Sequence, residues 1–500
     1  MSSFPVRSRL RSRRLRPLAW GAVALIGLYG VLSIPEAAAP PAVTADRRPF
    51  RWERDRFWEA LQREFERARA AEPTELDRDV ARRLAELEPL VAALEEQPIA
   101  PDDSRLDRLE GELFDLAPLV AAMPERIDAY LATVERARHA VKEQSRRWDL
   151  GSAQARERLY RALYGSRAAL EEVLLQAPPD EGRALVLGTD EPSVTPALEM
   201  RGVRLHSGDI LVSRGAAPTS ALIARGHDLP GNFSHVALLH VDEHGEASVI
   251  EAHIERGVAV SNAVEYLGDR KLRILVLRPR GDLPALVADP LLPHEAASAA
   301  LADATARHIP YDFAMDVSDP GALFCSEVAS AAYHRFGVEL WAGRSSISSP
   351  GIAAWLAAFG VRRFETQEPS DLEYDPQLAC VAEWRDAEAL FDDHLDNAVM
   401  DVLLESAESG EGLAYDRTML PLARCLKTWS VLLEALGRVG PVPEGMSATA
   451  ALRNRRFVDD HGELRARVAV LAAGFQREHG YRPPYWELVR LAREARAHPG

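Results

Sequence analysis

Hydrophobic positions along this chain change their period twice. From residue 50 to about 185 they recur every three or four places, as in Phe57, Leu61, Phe65 and Ala68, and again in Leu84, Leu87, Leu90 and Val91. That spacing gathers apolar side chains on one face of a helix. Pro73, Pro101, Pro118 and Pro124 punctuate the pattern. Further helices are expected over Leu106–Leu116 and Ile127–Leu174, the second interrupted near Leu150 and Gly151. Residues 50–185 give no strand signal. Charges alternate along the exposed faces, which predicts a solvated helical hairpin or coiled-coil stalk serving as a spacer or interaction surface.

At Arg201 the period shortens. The runs Asp209–Ser213, Ser234–Val241, Ala247–Ala252, Gly257–Ser261 and Leu272–Leu277 are short, rich in β-branched residues, and bounded by Gly, Asp and Pro. They read as clustered strands. Pro293–His308 and Cys325–Phe336 then read as helices, the latter stopped by Gly337. Residues 195–370 are therefore expected to form one α+β domain. From residue 385 to 500 the helical period returns, with a break at Gly437–Gly445. No internal repeat is present.

The amino terminus differs from all of this. Residues 1–17 carry Arg7, Arg9, Arg11, Arg13, Arg14 and Arg16 and no acid, and Leu18–Ile34 carries no charge. A basic stretch before an apolar one reads as an export signal or a short membrane anchor. A cut after Ala39 would place Pro40 directly behind it, so an uncleaved anchor is the expectation, with release after cleavage as the alternative. The positive-inside rule then places the chain beyond residue 35 on the periplasmic side of an inner membrane. Residues 35–49 form a Pro/Ala linker.

Composition narrows the functional classes. Hydrophobic residues make up 47% and charged residues 27% of the 500, so a packed core is within reach and general disorder is excluded. Net charge is −16 despite the basic terminus. So acidic a body repels phosphate backbones, and nucleic acid is not an expected partner. Three cysteines (Cys325, Cys380 and Cys425) cannot build a disulfide framework. There is no Cys-x-x-Cys and no Gly-rich phosphate loop. His240 and His244 run from a strand into a turn, so no metal site and no cofactor are expected.

Three passages carry chemistry. His235 opens an apolar strand, Glu251 lies inside the next, and Cys325 sits in the first turn of a helix. A helix start favours the thiolate, an imidazolium beside it lowers the thiol pKa further, and a carboxylate holds the imidazole in one tautomer. A lone Cys at a helix start is ordinarily packing, and a lone strand His is ordinarily structural. A Glu inside an apolar strand is costly unless paired, and the conjunction of all three points to a cysteine hydrolase. If 234–241 pairs with 247–252 through Asp242–Glu246, the hairpin centres near residue 244 and 235 faces 253. Glu251 and His253 then share a face and both can reach His235, the anionic Glu251 being the better orienter. Cys380 and Cys425 have no such partner and are read as structural, in helical or irregular segments.

The order Gly208-Asp209, Phe233-Ser234-His235, Val249-Ile250-Glu251-Ala252, Ile309-Pro310-Tyr311-Asp312-Phe313, Phe324-Cys325-Ser326-Glu327 and Ser348-Ser349-Pro350 resembles the YiiX/YaeF-type permuted papain-like amidases. These are relatives of the NlpC-type cell-wall endopeptidases and cousins of lecithin retinol acyltransferase. The resemblance covers about 205–355. It implies a circularly permuted papain-like (NlpC-type) cysteine hydrolase domain, flanked here by two helical regions and an N-terminal membrane segment. It further implies Cys325 as nucleophile, His235 as general base, Glu251 as third member and Tyr311 as a substrate- or oxyanion-positioning residue. Asp209, Asp312 and Glu327 are expected to be local structural hydrogen-bonders. The activity so implied is an amide-cleaving hydrolase of the cell envelope, with cell-wall peptides as substrate. Two alternatives stand beside it: a thiol hydrolase or transferase acting on lipid acyl esters, and a non-catalytic scaffold working through a protein partner on its helical flanks.

Overall fold

The computed structural model describes residues 20, 23–36, 48–52, 55–177, 185–269 and 271–498. The basic stretch 1–17 and most of the 35–49 linker lie outside these residues.

Five helices fill residues 55–176: α1 (Asp55–Ala70), α2 (Pro73–Glu96), α3 (Ser104–Ala121), α4 (Ile127–Ser145) and α5 (Ala153–Gln176). They pack on one another rather than extending as a stalk. Val80, Val91, Leu94, Leu116, Val120, Tyr130, Val134 and Val173 are almost wholly buried in one shared core. The coiled-coil expectation is corrected here. The apolar stripes are wide enough to be covered by several neighbours, whereas a two-helix seam needs a narrow one.

The central sheet has seven strands: β1 (Leu185–Leu187), β2 (Ile210–Gly215), β3 (His235–Val241), β4 (Ala247–His253), β5 (Gly257–Asn262), β6 (Lys271–Pro279) and β7 (Leu378–Trp384). Their order is β1-β7-β6-β2-β3-β4-β5, and every pairing is antiparallel. Alternation sets the two faces. Ile210, Val212, Val236, Leu238 and Ile250 pack under α6 (Leu292–Ala306) and α7 (Cys325–His334), while Leu211, Ala237, Leu239 and Val249 face the opposite layer. The strands β1 and β7 lie outside the 195–370 range expected from the sequence. Cys380 lies on β7, not in a helical or irregular segment, with Lys142 Nζ 3.7 Å from its sulphur.

The chain ends in α8 (Ala387–Glu408), α9 (Leu420–Glu434), α10 (Ala448–His479) and α11 (Tyr485–Ala497). A buried ionic lattice fastens helices to sheet. Arg273 on β6 donates to Glu171 of α5 at 2.5 Å and pairs with Asp393 of α8 at 2.6 Å; Arg167 of α5 pairs with Glu383 of β7 at 2.8 Å. Each of these side chains is at most 8% exposed. The helical flanks are thus part of the fold that carries the sheet.

The apolar segment 18–34 is described at residue 20 and from 23 onward, with helix over 23–32. Among the described residues no helix is long and apolar enough to cross a membrane. The expected 18–34 span lies partly outside the described residues, at 18, 19, 21 and 22. The segment leans on α9, with Tyr29 Oη donating to the Thr418 carbonyl (3.0 Å) and Arg424 donating to the carbonyls of Leu32 (3.0 Å) and Ile34 (2.6 Å).

Candidate active site

The hairpin register matches the sequence expectation. Ala237 faces Glu251 and Leu238 faces Ile250, which centres the turn on His244. Glu251 therefore lies diagonally across from His235, at the reach of a long side chain. His235 Nε2 and Glu251 Oε2 are 2.7 Å apart. Glu251 Oε1 stands 3.2 Å from His253 Nε2 and accepts from Ser261 Oγ at 3.3 Å. So both readings of the carboxylate's neighbourhood hold at once: Glu251 binds His235, and His253 binds Glu251 from the other side. The two imidazoles lie near-parallel with centroids 5.9 Å apart.

With Nε2 engaged by Glu251, Nδ1 is the nitrogen left for the thiol. Cys325 is the first residue of α7, and its Sγ lies 3.9 Å from the Ser234 carbonyl, next to His235. Burial would raise the thiol pKa, but hydrogen bonding and charge from His235 outweigh it, helped by the Val236 N–H, and hold it below its ordinary value. Burial likewise works against protonating His235; the Cys325 and Glu251 partners overcome it and push the ring up to about 9. Glu251 is buried, which alone would raise it, yet its bonds to His235 and then His253 keep it well below the usual carboxylate range. The arrangement favours the thiolate of Cys325 and the imidazolium of His235 beside a carboxylate.

Local sequence explains how the thiol is placed. The Glu327 carboxylate accepts the Phe324 N–H at 3.0 Å and closes the first turn of α7. Tyr311 pairs with Leu323 through a parallel bridge, with Leu323 N donating to Pro310 O at 3.0 Å. This brings Tyr311 to the segment entering α7. Its ring packs edge-on against Phe313 at 5.1 Å, and burial, followed by the charge of Cys325, drives its phenol far up. Asp312 accepts from Ala314 N (2.7 Å) and Asp316 N (2.6 Å), organising the loop before α7. Asp209 takes a two-point hydrogen bond from Arg278 at 2.8 and 2.9 Å. Gly208 beside it has φ 97°, and a Cβ there would stand 2.4 Å from Pro293.

Two contributors escaped the sequence. Ser370 Oγ accepts from Phe233 N (3.0 Å) and donates to Phe233 O (3.1 Å), clamping the turn that leads to His235. A Cβ on Gly231 would collide with that serine at 2.1 Å, so only glycine passes. Glu368 is buried, its Oε2 has no partner, and burial followed by Asp371 and Cys325 pushes it well above a normal carboxyl. Neither residue has a spacing signal; both arrive on the irregular stretch before β7. The Ser348-Ser349-Pro350 passage is structural: Ser348 Oγ and N bind Asp228 at 2.8 and 2.9 Å, and Ser349 caps the helix behind it.

A depressed thiol gives a direct expectation. Iodoacetamide should alkylate Cys325 with a pH midpoint below the ~8.5 of a free thiol, and at neutral pH faster than the exposed Cys425. Mass spectrometry of labelled peptides reads both; equal rates, or a midpoint at the free-thiol value, would count against an activated sulphur.

No curated protein matches the chain. Residues 204–382 do match a family model, that of the permuted papain-like amidase enzymes YaeF/YiiX of the C92 family. The match runs beyond the expected 355 into β7, the strand between β1 and β6. With His235 preceding Cys325 by ninety residues and the two meeting in space, residues 204–382 are similar to the permuted papain-like amidases, a family of hydrolases.

Proposed function

We propose that the protein is a cell-envelope cysteine amidase that cleaves amide bonds of peptides, cell-wall stem peptides among them, through an acyl-enzyme on Cys325. The observation that carries this reading is the Cys325–His235–Glu251 line, with Glu251 on Nε2 and the sulphur on the remaining side of the ring. The thiolate attacks the carbonyl carbon, and the leaving amine takes its proton from His235. Water then attacks the thioester, giving its proton to His235, and the carboxylic acid leaves as the thiol is restored. The Cys325 backbone N–H, free at a helix start, and Tyr311 are the groups assigned to the oxyanion and substrate. The basic and apolar amino terminus supports an envelope location, anchored at the inner membrane or released after cleavage.

A second reading, hydrolysis or transfer of lipid acyl esters, is favoured by one specific feature. α9 leaves Leu422, Leu426, Trp429 and Leu432 exposed, beside the equally exposed Leu25, Ile26 and Leu28. Arg417, Arg424, Lys427 and Arg438 accompany it against the single Glu434, in an otherwise acidic chain. Such a face suits a lipid interface. The loop after α9 also packs on the cleft: Val442 and Met446 cluster with Phe313, the ring that backs Tyr311.

The test is a direct assay of the purified chain on muropeptides and on phospholipid vesicles. New primary amine supports the leading reading, and free fatty acid supports the second. Activity on neither, together with unlabelled Cys325, would leave only the scaffold.

A further inference from the structure

Away from the triad, a cavity of about 440 Å³ lies where the helical bundle, the turn at 227–232 and helices α8 and α11 meet. That volume is in the range of small-molecule sites. Much of its wall is aromatic: Trp58 and Trp486 are stacked (5.5 Å, 9°), Phe114 meets Trp58 edge-on at 5.4 Å, and Tyr164 stacks on Tyr160 at 5.0 Å.

The polar lining is unevenly satisfied. Asp401 takes both arms of Arg225 at 2.8 and 2.9 Å, Glu405 pairs with Arg493 at 2.6 Å, Glu408 pairs with Arg51, and Glu171 belongs to the Arg273 lattice. Glu172 is different. Its Oε1 accepts the Tyr485 N–H at 2.8 Å, and its Oε2 is buried with no partner among the described residues. His394, 5% exposed, has Nε2 3.0 Å from Glu171 Oε2; its Nδ1 is also buried, without a partner among the described residues. Nδ1 stands 3.9 Å from Glu172 Oε1, too far for a hydrogen bond. Where Nε2–H is donated to Glu171, Nδ1 is left as the acceptor of the ring. Two buried acceptors on adjoining side chains thus lack a donor, beside a wall of aromatic rings. Leaving such atoms unpaired is costly, and their place beside the cavity suits a ligand that supplies donors. Arg225 already donates to Asp401, Tyr164 and the Gly231 carbonyl, which leaves it little to offer an anion.

We propose that this cavity is a second ligand site, which takes a cationic amine with a flat apolar body: the ammonium donates to Glu172 Oε2 and His394 Nδ1, and the body lies against the Trp58 and Trp486 rings. An ammonium has three donors and no acceptor, and cation–π attraction to the indoles adds to its fit. Asn232, which also lines the cavity, is three residues from His235, so the site adjoins the turn that sets the catalytic ring.

The probe is tryptamine, titrated calorimetrically into the full chain, with indole-3-propionate as the anion of similar shape. Tryptamine is expected to bind at least tenfold more tightly. Glu172→Gln should erase that preference at least tenfold while the circular-dichroism spectrum is unchanged. Val489→Trp, which fills the lining without altering a polar group, should abolish binding and serves if the first variant misfolds. No heat with tryptamine, or equal affinity for the two probes in the unmutated chain, overturns the assignment whatever the variants do.

Discussion

Cys325→Ala is expected to lower amide hydrolysis by about 10³–10⁶-fold, because loss of the nucleophile stops a covalent route altogether and leaves only binding and oxyanion stabilisation. Stability should hardly change. The site is small, buried and already polar on one side, so truncating a thiol leaves a void of one atom. The pH profile of the unmutated protein gives the companion result. Activity needs thiolate and imidazolium together. It should rise with pH as the depressed thiol ionises, and fall again as His235 loses its proton at about 9. These apparent values belong to the pair rather than to either group. Rates of amine release for the two proteins between pH 5 and 10 check both points. Full activity in Cys325→Ala would remove the acyl-enzyme, whatever the geometry.

Glu171→Ala is expected to destabilise the fold by about 3–5 kcal/mol, the cost of leaving buried cations unpaired. Glu171 is fully enclosed and stands between Arg167, Arg273 and His394, so water cannot take its place without opening the joint between α5, the sheet and α8. Burial alone would raise its pKa, but Arg273, His394 and Arg167 hold it well below the usual value, and the charge is therefore present in the folded state at neutral pH. The sign follows: a carboxylate depressed in the native protein contributes stability above its unfolded pKa, and that contribution fades as pH falls through the folded value. Urea midpoints of Glu171→Ala, Arg273→Met and the double variant check this. Because the pair is coupled, the double variant should cost less than the sum. A change under about 1 kcal/mol in Glu171→Ala would show that the flanks are not held by this lattice.

The register that sets Glu251 beside His235 was legible because a hairpin is local. Five strand runs, a five-residue turn and a two-residue period place Glu251 within reach of His235, and the observed pairing of Ala237 with Glu251 follows that arithmetic. The thiol's setting was legible for a similar reason, since the first turn of a helix is favourable to an anion wherever it occurs. Ser370 and Glu368 were not legible. They sit on an irregular stretch with no period; the role of Ser370 depends on Phe233, more than a hundred residues away, and Glu368 is set by burial and by Asp371 and Cys325. The helical flank was misjudged as a solvated stalk because alternating charge looks the same on a free hairpin and on the outer surface of a bundle. Its buried charges, Arg138, Arg167 and Glu171, are matched by Glu373, Arg273 and Glu383 in distant parts of the chain.

By itself the sequence determined the strand hairpin, the helix that begins at Cys325, and the pairing of an acid with a histidine across two strands, since each rests on contacts within a few residues or on backbone period. Only the tertiary structure decided that His235 and Cys325 meet, that β7 completes the sheet, and that the flanks are locked to it. These depend on long-range burial and on charges whose energy is set by what excludes water from them, and neither is written in local spacing.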